Sequence, residues 1–588
     1  MHKALDAMPR GLEEAFEETL ARIQRQPEGR RKLGMNTLMW ISHAKRPLLV
    51  SELSDALAVR PGVTTLNPLY RPSQKLMVDS CLGLVTINEE SSVIRLVHFS
   101  VQEFFETHRH HLFPSGESTI AELTTTYSLL DEFSQGSCQV EDEIQSLISQ
   151  NPFVAYAACF WGHHVRDANS PIVDEIALNL LRAGPHKSCS YQIQRYKAGY
   201  RELYWDTEVA QTYNGLMMAA AFGLEGLAKR LLANNEVQIN SASKIGTTAL
   251  IQAASNGHIS FMRMLLGYGA DPLKENWYGN GLHCAAEAGR VEALLELLQS
   301  GLEVNIRDRR GRTALHCATE NGHIAAIRTL LARGADINAK FQEHDQGYTA
   351  LRYAIVLEQS VEVVKTLLMS GANTEIRDQH SVTPLHDAAA LALEEIVLLL
   401  LDFGANIHAR TVHGNTALHI SALRNHVDVV HILLDHGAEI NARTVDGVTA
   451  LFMAAERGGE ASVRALISSG ADIEAEDNEG STALHVAMKE NHRSIVQVLL
   501  EAGASTNTSN NDGGTASGSA GEESNLDAES ILARNNAKRK AFDSAGEYEE
   551  EAALTLMTYR FKSRDMMSKS EQRCTECDKS FERPCDLT

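Results

Sequence analysis

The sequence predicts a mainly α-helical protein: a solenoid of about nine helix-pair units, preceded by a small α+β domain and a helical connector. Three observations predict it. A leucine recurs at 216, 250, 282, 315, 351, 385, 418, 451 and 484, in steps of 34, 32, 33, 36, 34, 33, 33 and 33 residues. An apolar pair follows in phase, from Leu231-Leu232 to Leu499-Leu500, and from Gly269 to Gly503 a glycine stands four residues after the first member of each pair. Ahead of this period, residues 1–110 combine helical spacing with two short strand-like runs. A fixed period of this length means like units stacked on their neighbours, each too small to bury its apolar face alone.

In chain order, residues 5–23 read as an amphipathic helix with Leu12, Phe16, Leu20 and Ile23 on one face, and 33–44 as a second helix around Trp40. Residues 51–58 read as a third helix capped by Ser51. Runs 82–88 and 93–98 read as strands joined by a turn through 89–92, and a further helix opens at 98–105. Helices followed by a hairpin suggest a winged helix over 1–110, and 111–205 is the helical connector. The repeats occupy 206–508. In each, a threonine caps the first helix, the leucine and following alanines pack inward, the apolar pair anchors a second helix, and the glycine ends it. In the first unit Asn235 takes the glycine's place, being the other residue that tolerates the left-handed conformation. Hairpins of the form Asp-x-x-Gly, as in 308–311 and 477–480, lead to the next unit. Residues 509–570 are expected to be a flexible, low-complexity linker and 571–588 a separate small motif.

The repeat resembles the ankyrin repeat. Gly311-Arg-Thr-Ala-Leu-His-Cys-Ala-Thr-Glu-Asn-Gly-His323 is close to that family's pattern, as are 415–425 and 481–491. Some units depart from it: Met217, Ile251, Arg352 and Phe452 replace the usual histidine, Asn214 and Asn280 the usual threonine, and the fifth unit gains residues around 341–346. Two sets of periodic histidines, His283, His316, His386, His419 and His485 with His258, His323, His426 and His492, invite a metal reading. The resemblance implies instead that they hydrogen-bond loop backbone and hold neighbouring turns together.

The N-terminal domain looks like the winged-helix segment that follows the NACHT nucleotide-binding domain in fungal signal-transduction ATPases. The stretches that carry the likeness are Met8-Pro9-Arg10-Gly11-Leu12, Trp40-Ile41 with Arg46-Pro47-Leu48, Ser80-Cys81-Leu82-Gly83-Leu84-Val85, and Leu96-Val97-His98-Phe99-Ser100-Val101-Gln102-Glu103-Phe104-Phe105. Asn151-Pro152-Phe153 and Trp161-Gly162-His163 resemble the connector such proteins place before ankyrin repeats. The resemblance implies that His98 contacts the phosphate of a bound nucleotide when a nucleotide domain is present; otherwise His98 caps or packs the helix start.

The chain's 588 residues hold no Gly-x-x-x-x-Gly-Lys-Ser/Thr loop, no Gly-x-Ser-x-Gly elbow and no His-Glu-x-x-His helix, so no catalytic residues and no resident cofactor are expected. A formal net charge of −22 argues against nonspecific nucleic-acid or anionic-membrane binding, and the candidate recognition helix 51–58 carries Glu52 and Asp55 without Lys or Arg. No run is long and apolar enough to suggest membrane insertion. Nine scattered cysteines fit a reducing, intracellular compartment, cytoplasmic or nuclear. At the end, Cys574-Thr-Glu-Cys577 with Phe581 and Leu587 looks like the first half of a Cys-Cys-His-His zinc finger. Cys574 and Cys577 would supply half of a tetrahedral shell, so zinc is expected only if the finger is completed. The missing nucleotide-binding loop is expected to mean either a truncated sequence or a natural derivative without that domain, and the missing histidines a truncated C-terminus.

The leading expectation is a non-enzymatic adaptor binding a protein partner through its repeats. Candidate contacts on the first helices are Tyr353, Leu357, Asp387, Ile420, Arg424, Met453 and Arg457, and at the hairpin tips Trp277, Tyr278, Arg309 and Arg310. The alternatives are a fragment of a NACHT signalling ATPase and a zinc-finger nuclear regulator.

Overall fold

The computed structural model describes residues 10–199, 207–341 and 347–515. It divides into two compact units, Met1–Asp387 with Asp402–Ala405, and Ala388–Leu401 with Asn406–Thr588.

The first unit opens with α1 (Arg10–Gln24), α2 (Glu28–His43), β1 (Leu48–Leu49), α3 (Val50–Ala58), α4 (Gln74–Ser80), β2 (Val85–Asn88), β3 (Val93–Leu96) and α5 (Phe99–Leu112). The strands form one antiparallel sheet in the order β1-β3-β2, with Leu48 opposite Ile94 and Val85 opposite Leu96. This is the winged helix the sequence suggested, with three local differences. β1 is only two residues long and exists through its pairing with β3, so it leaves no periodicity to read. The strand expected from 82 begins at Val85, because Leu82 and Gly83 turn the chain at φ 49° and 90°. Ser51 does not cap α3: the helix starts at Val50, and Glu52 accepts the Leu49 N–H at 2.9 Å. Arg46 grips the same carboxylate at 2.6 and 2.7 Å, so a side chain already ion-paired also does the capping.

The connector follows as α6 (Gly116–Ser128), α7 (Glu141–Gln150), α8 (Val154–Ala168), α9 (Pro171–Arg182) and α10 (Gly184–Lys197). The expected boundary at residue 110 does not separate two cores, since one apolar cluster runs from Leu20 to Ile193. Trp40 of α2 meets Phe153 edge-on at 5.3 Å and Tyr156 of α8 at 6.3 Å. Phe153 and Tyr156 thereby help to bury Trp40 completely.

Gly162 of α8 sits where the first repeat docks. A Cβ there would lie 2.2 Å from the Phe222 ring, which also packs on Trp161 at 5.1 Å. Gly162→Ala is therefore expected to displace Phe222 and cost about 1–3 kcal/mol. Thermal unfolding of the full chain checks it; an unchanged midpoint would show that the ring moves freely.

The repeats are helix pairs, as in Gly215–Phe222 with Glu225–Ala233 in the first unit and Ala450–Glu456 with Glu460–Ser468 in the second. All nine phased leucines and the first member of every apolar pair are buried. The glycines that end the second helices take positive φ, 90° at Gly470, and Asn235 takes 53° in their place. The array does not stop at Thr508. Residues 509–515 form one more hairpin, bridged from Ser509 to Thr515, in which Asn511 donates its N–H to Glu479 O at 2.9 Å and its Nδ2 to Asn478 O at 3.1 Å. Asn and Gly suit a hairpin as well as a linker, which is why composition misassigned this stretch. The rest of the expected linker and the zinc-finger fragment, with Cys574 and Cys577, lie outside the described residues.

Candidate protein-binding faces

The periodic histidines are part of the scaffold. His419 Nδ1 accepts the Thr416 N–H at 3.2 Å, and its Nε2 donates to Val448 O of the next hairpin at 3.2 Å. His485 repeats this with Thr482 and with Thr508 O at 3.1 Å, and His283 Nε2 reaches Arg312 O at 3.1 Å. The second set reaches backward: His258 to Ala221 O, His323 to Glu287 O, His426 to Ala390 O and His492 to Glu456 O, at 3.0 to 3.1 Å. Each ring thus ties one unit's helix start or loop to its neighbour's backbone. Among the described residues no cluster of side chains could hold a metal ion.

A basic ladder along the hairpins does similar work and was missed in the sequence, although its phase was visible there. Arg307 Nη1 donates to Lys340 O at 2.6 Å and Lys340 Nζ to Arg377 O at 2.9 Å. In the second unit Arg410 donates to Arg443 O, and Arg443 to Glu476 O.

The fifth repeat uses a different device, and it removes two expected contact residues. Arg352, in the histidine's place, is 4% exposed; it meets Asp378 of the following hairpin at 2.9 Å and Asp387 at 2.5 Å. Its guanidinium also lies 5.1 Å from the centre of the Tyr348 ring. Asp387 is therefore committed to an internal ion pair rather than offered to a partner; burial pushes its carboxyl up, against the pull of Arg352. Tyr353 is buried, edge-on to Phe341 at 5.0 Å. Phe341 opens the fifth unit's enlarged hairpin through paired bonds with Tyr348, and its ring covers the position that helical spacing alone would leave open.

The remaining candidates fall into two groups. In the first unit, Trp277 is 51% exposed at its tip and Leu357 40% exposed. Arg309 and Arg310 are exposed, Arg309 with Glu275 at 3.4 Å. Tyr278 is only half-buried tip, turned into a pocket of about 210 Å³ with Tyr191, Arg195, Gln252 and Glu287. In the second unit, Ile420 and Met453 are half-buried and Arg424 and Arg457 exposed.

His98 caps α5: its Nδ1 accepts the Ser100 N–H at 3.1 Å and lies 2.8 Å from Ser100 Oγ. The exposed ring also borders a cleft of about 870 Å³ lined by Lys45, Arg46, Arg95, Glu106 and Arg109. Lys45 is engaged by Asp167 and Arg46 by Glu52, whereas Arg95 and Arg109 form no ion pair among the described residues.

These features define a helical-repeat protein whose repeats are stitched by threonine, histidine and hairpin contacts, with a winged helix at one end. Ankyrin repeats in three-copy sets match residues 216–308, 282–378, 358–444 and 442–510, together just over half of the 588 residues, so the chain belongs to the ankyrin-repeat family. The winged helix domain of GPI inositol-deacylase matches residues 21–121. A curated relative, the azaphilone pigments biosynthesis cluster protein L of Monascus ruber, is 26% identical over 298 residues, covering 45% of this chain and 61% of that protein. The chain thus spans less than two thirds of that relative's length. The crystal structure of the ankyrin repeat domain of Bcl-3, a member of the IkappaB protein family, matches 38% of this chain and 100% of its own at 27% identity, with a TM-score of 0.35. No described helix is long and apolar enough to cross a membrane.

Proposed function

We propose that this chain is a non-enzymatic, intracellular scaffold that binds protein partners through the first helices and hairpin tips of its repeats. One observation carries the reading: the periodic histidines, threonines and hairpin cations are consumed in joining units, while large side chains such as Trp277 and Leu357 stay exposed without a role in that stitching. Exposed aromatic residues at loop tips are the kind that anchor interfaces. Trp277→Ala is expected to weaken capture of a partner by about thirtyfold, the effect of a hot spot near 2 kcal/mol, without changing the melting temperature. Wild-type affinity in that variant would remove the tip from the interface.

A second reading extends the likeness to NACHT proteins: joined to a nucleotide-binding domain, His98 would meet a phosphate and report nucleotide state in signalling. The cleft supports it, because Arg95 and Arg109 bring positive charge beside the ring. His98→Ala would then weaken nucleotide binding in a chain carrying that domain and leave partner capture intact. Unchanged nucleotide affinity would limit His98 to capping.

A further inference from the structure

We propose that the face of the second unit around Arg424 and Arg457 docks an acidic protein segment interspersed with apolar residues; this rests on the scaffold reading and gives one partner its chemistry.

The two arginines are equivalent residues of consecutive repeats in the same backbone pose. Each follows a first helix, Ala417–Leu423 or Ala450–Glu456, at φ −94° and −92°. Each donates its N–H to the residue four before it, Ile420 O and Met453 O, at 3.2 Å. Their side chains therefore leave the two helix ends in register. Both are exposed, and among the described residues neither is in an ion pair, on a chain of net charge −22. Other arginines of this unit are engaged: Arg410 and Arg443 with hairpin carbonyls, Arg464 with Glu460 at 2.8 Å. The free pair is thus the local exception.

Apolar surface lies on the same repeats. Ile420 and Met453 stand one helical turn before the arginines, half-buried. At the tips Val412 and Val445 are 50% and 66% exposed, and the Val445 N–H is bonded to His413 O at 3.0 Å, which holds the two tips together. Packed helices lie roughly 8–10 Å apart, so the guanidinium groups start from points about that far apart. An extended chain rises about 3.3 Å per residue, so carboxylates three residues apart would meet both. At the equivalent position of the ninth repeat the charge reverses to Glu490, which ends the cationic stretch and orients the segment.

The test is selection of a random-peptide phage library on the full-length chain, repeated on R424E/R457E and R424K/R457K, with melting curves to show that the exposed substitutions leave the fold unchanged. The expected result is a consensus with two carboxylates three residues apart beside apolar residues, captured about tenfold or more weakly by R424E/R457E and retained by R424K/R457K. A consensus without carboxylates, or acidic peptides held equally by R424E/R457E, would overturn this proposal and leave the scaffold reading standing. No enrichment of any peptide over bare support would count against both.

Discussion

Replacing Arg352 by alanine is expected to destabilise the first unit by about 3–5 kcal/mol, the usual consequence of removing one partner from a buried charge pair. Asp378 is 2% exposed at its side chain and Asp387 16%, and both face the guanidinium. Without it, two carboxylates stay in a dry site with no cation between them. The position explains why the cost should be high. In the third and seventh repeats a histidine ties the first helix to the next hairpin through a backbone carbonyl, whereas here the tie runs through charged Asp378. Lysine should restore only part of the stability, because a single ammonium cannot reproduce the planar fork that reaches both acids. Denaturant unfolding of the full chain compares the three proteins. A loss below about 1 kcal/mol for R352A would mean that water enters and screens the acids.

The same repeat shows what could and could not be read from the sequence. The leucine period, the apolar pairs and the left-handed glycines were legible because each meets a requirement inside one unit, so nine units reported it in phase. Asn235 was legible for the same reason. Tyr353 and Asp387 were misplaced because exposure on a first helix depends on what its neighbours bring: Phe341 of the repeat's own hairpin over Tyr353, and Arg352 of the preceding first helix onto Asp387. β1 was invisible because two residues have no pattern of their own. The hairpin at 509–515 was hidden by residues that serve linkers equally well. The hairpin cations Arg307 and Lys340 in the first unit, and Arg410 and Arg443 in the second, were available in the sequence as a recurring charge, but their purpose appears only when the acceptor is seen to be the following repeat's carbonyl.

Acidification from pH 7 toward 4 should destabilise the first unit through its buried histidines, and His316 is the residue to test. It is fully buried, with its Nδ1 accepting the Thr313 N–H at 3.2 Å and its ring edge-on to Phe341 at 4.8 Å. Burial pushes its pKa down from the ordinary value of 6.5 to about 4, despite nearby backbone acceptors that favour the charged form. Below pH 6.5 the unfolded chain therefore binds a proton that the folded chain refuses, and stability falls with pH until about 4. The shift corresponds to roughly 3 kcal/mol, of which roughly 2 kcal/mol would be lost by pH 5. His43, His164, His258 and His283 are lowered chiefly by burial and act in the same direction. Asp55, Glu287 and Asp387 act oppositely: burial raises them, so they take up protons in the folded state above the ordinary carboxylate range and offset part of the loss. His316→Gln removes one titrating group while keeping a polar side chain at the helix start. Its stability should be lower at pH 7 but decline less between pH 7 and 5 than that of the wild type. Parallel declines would show that His316 carries none of the acid sensitivity and that the other buried histidines account for it.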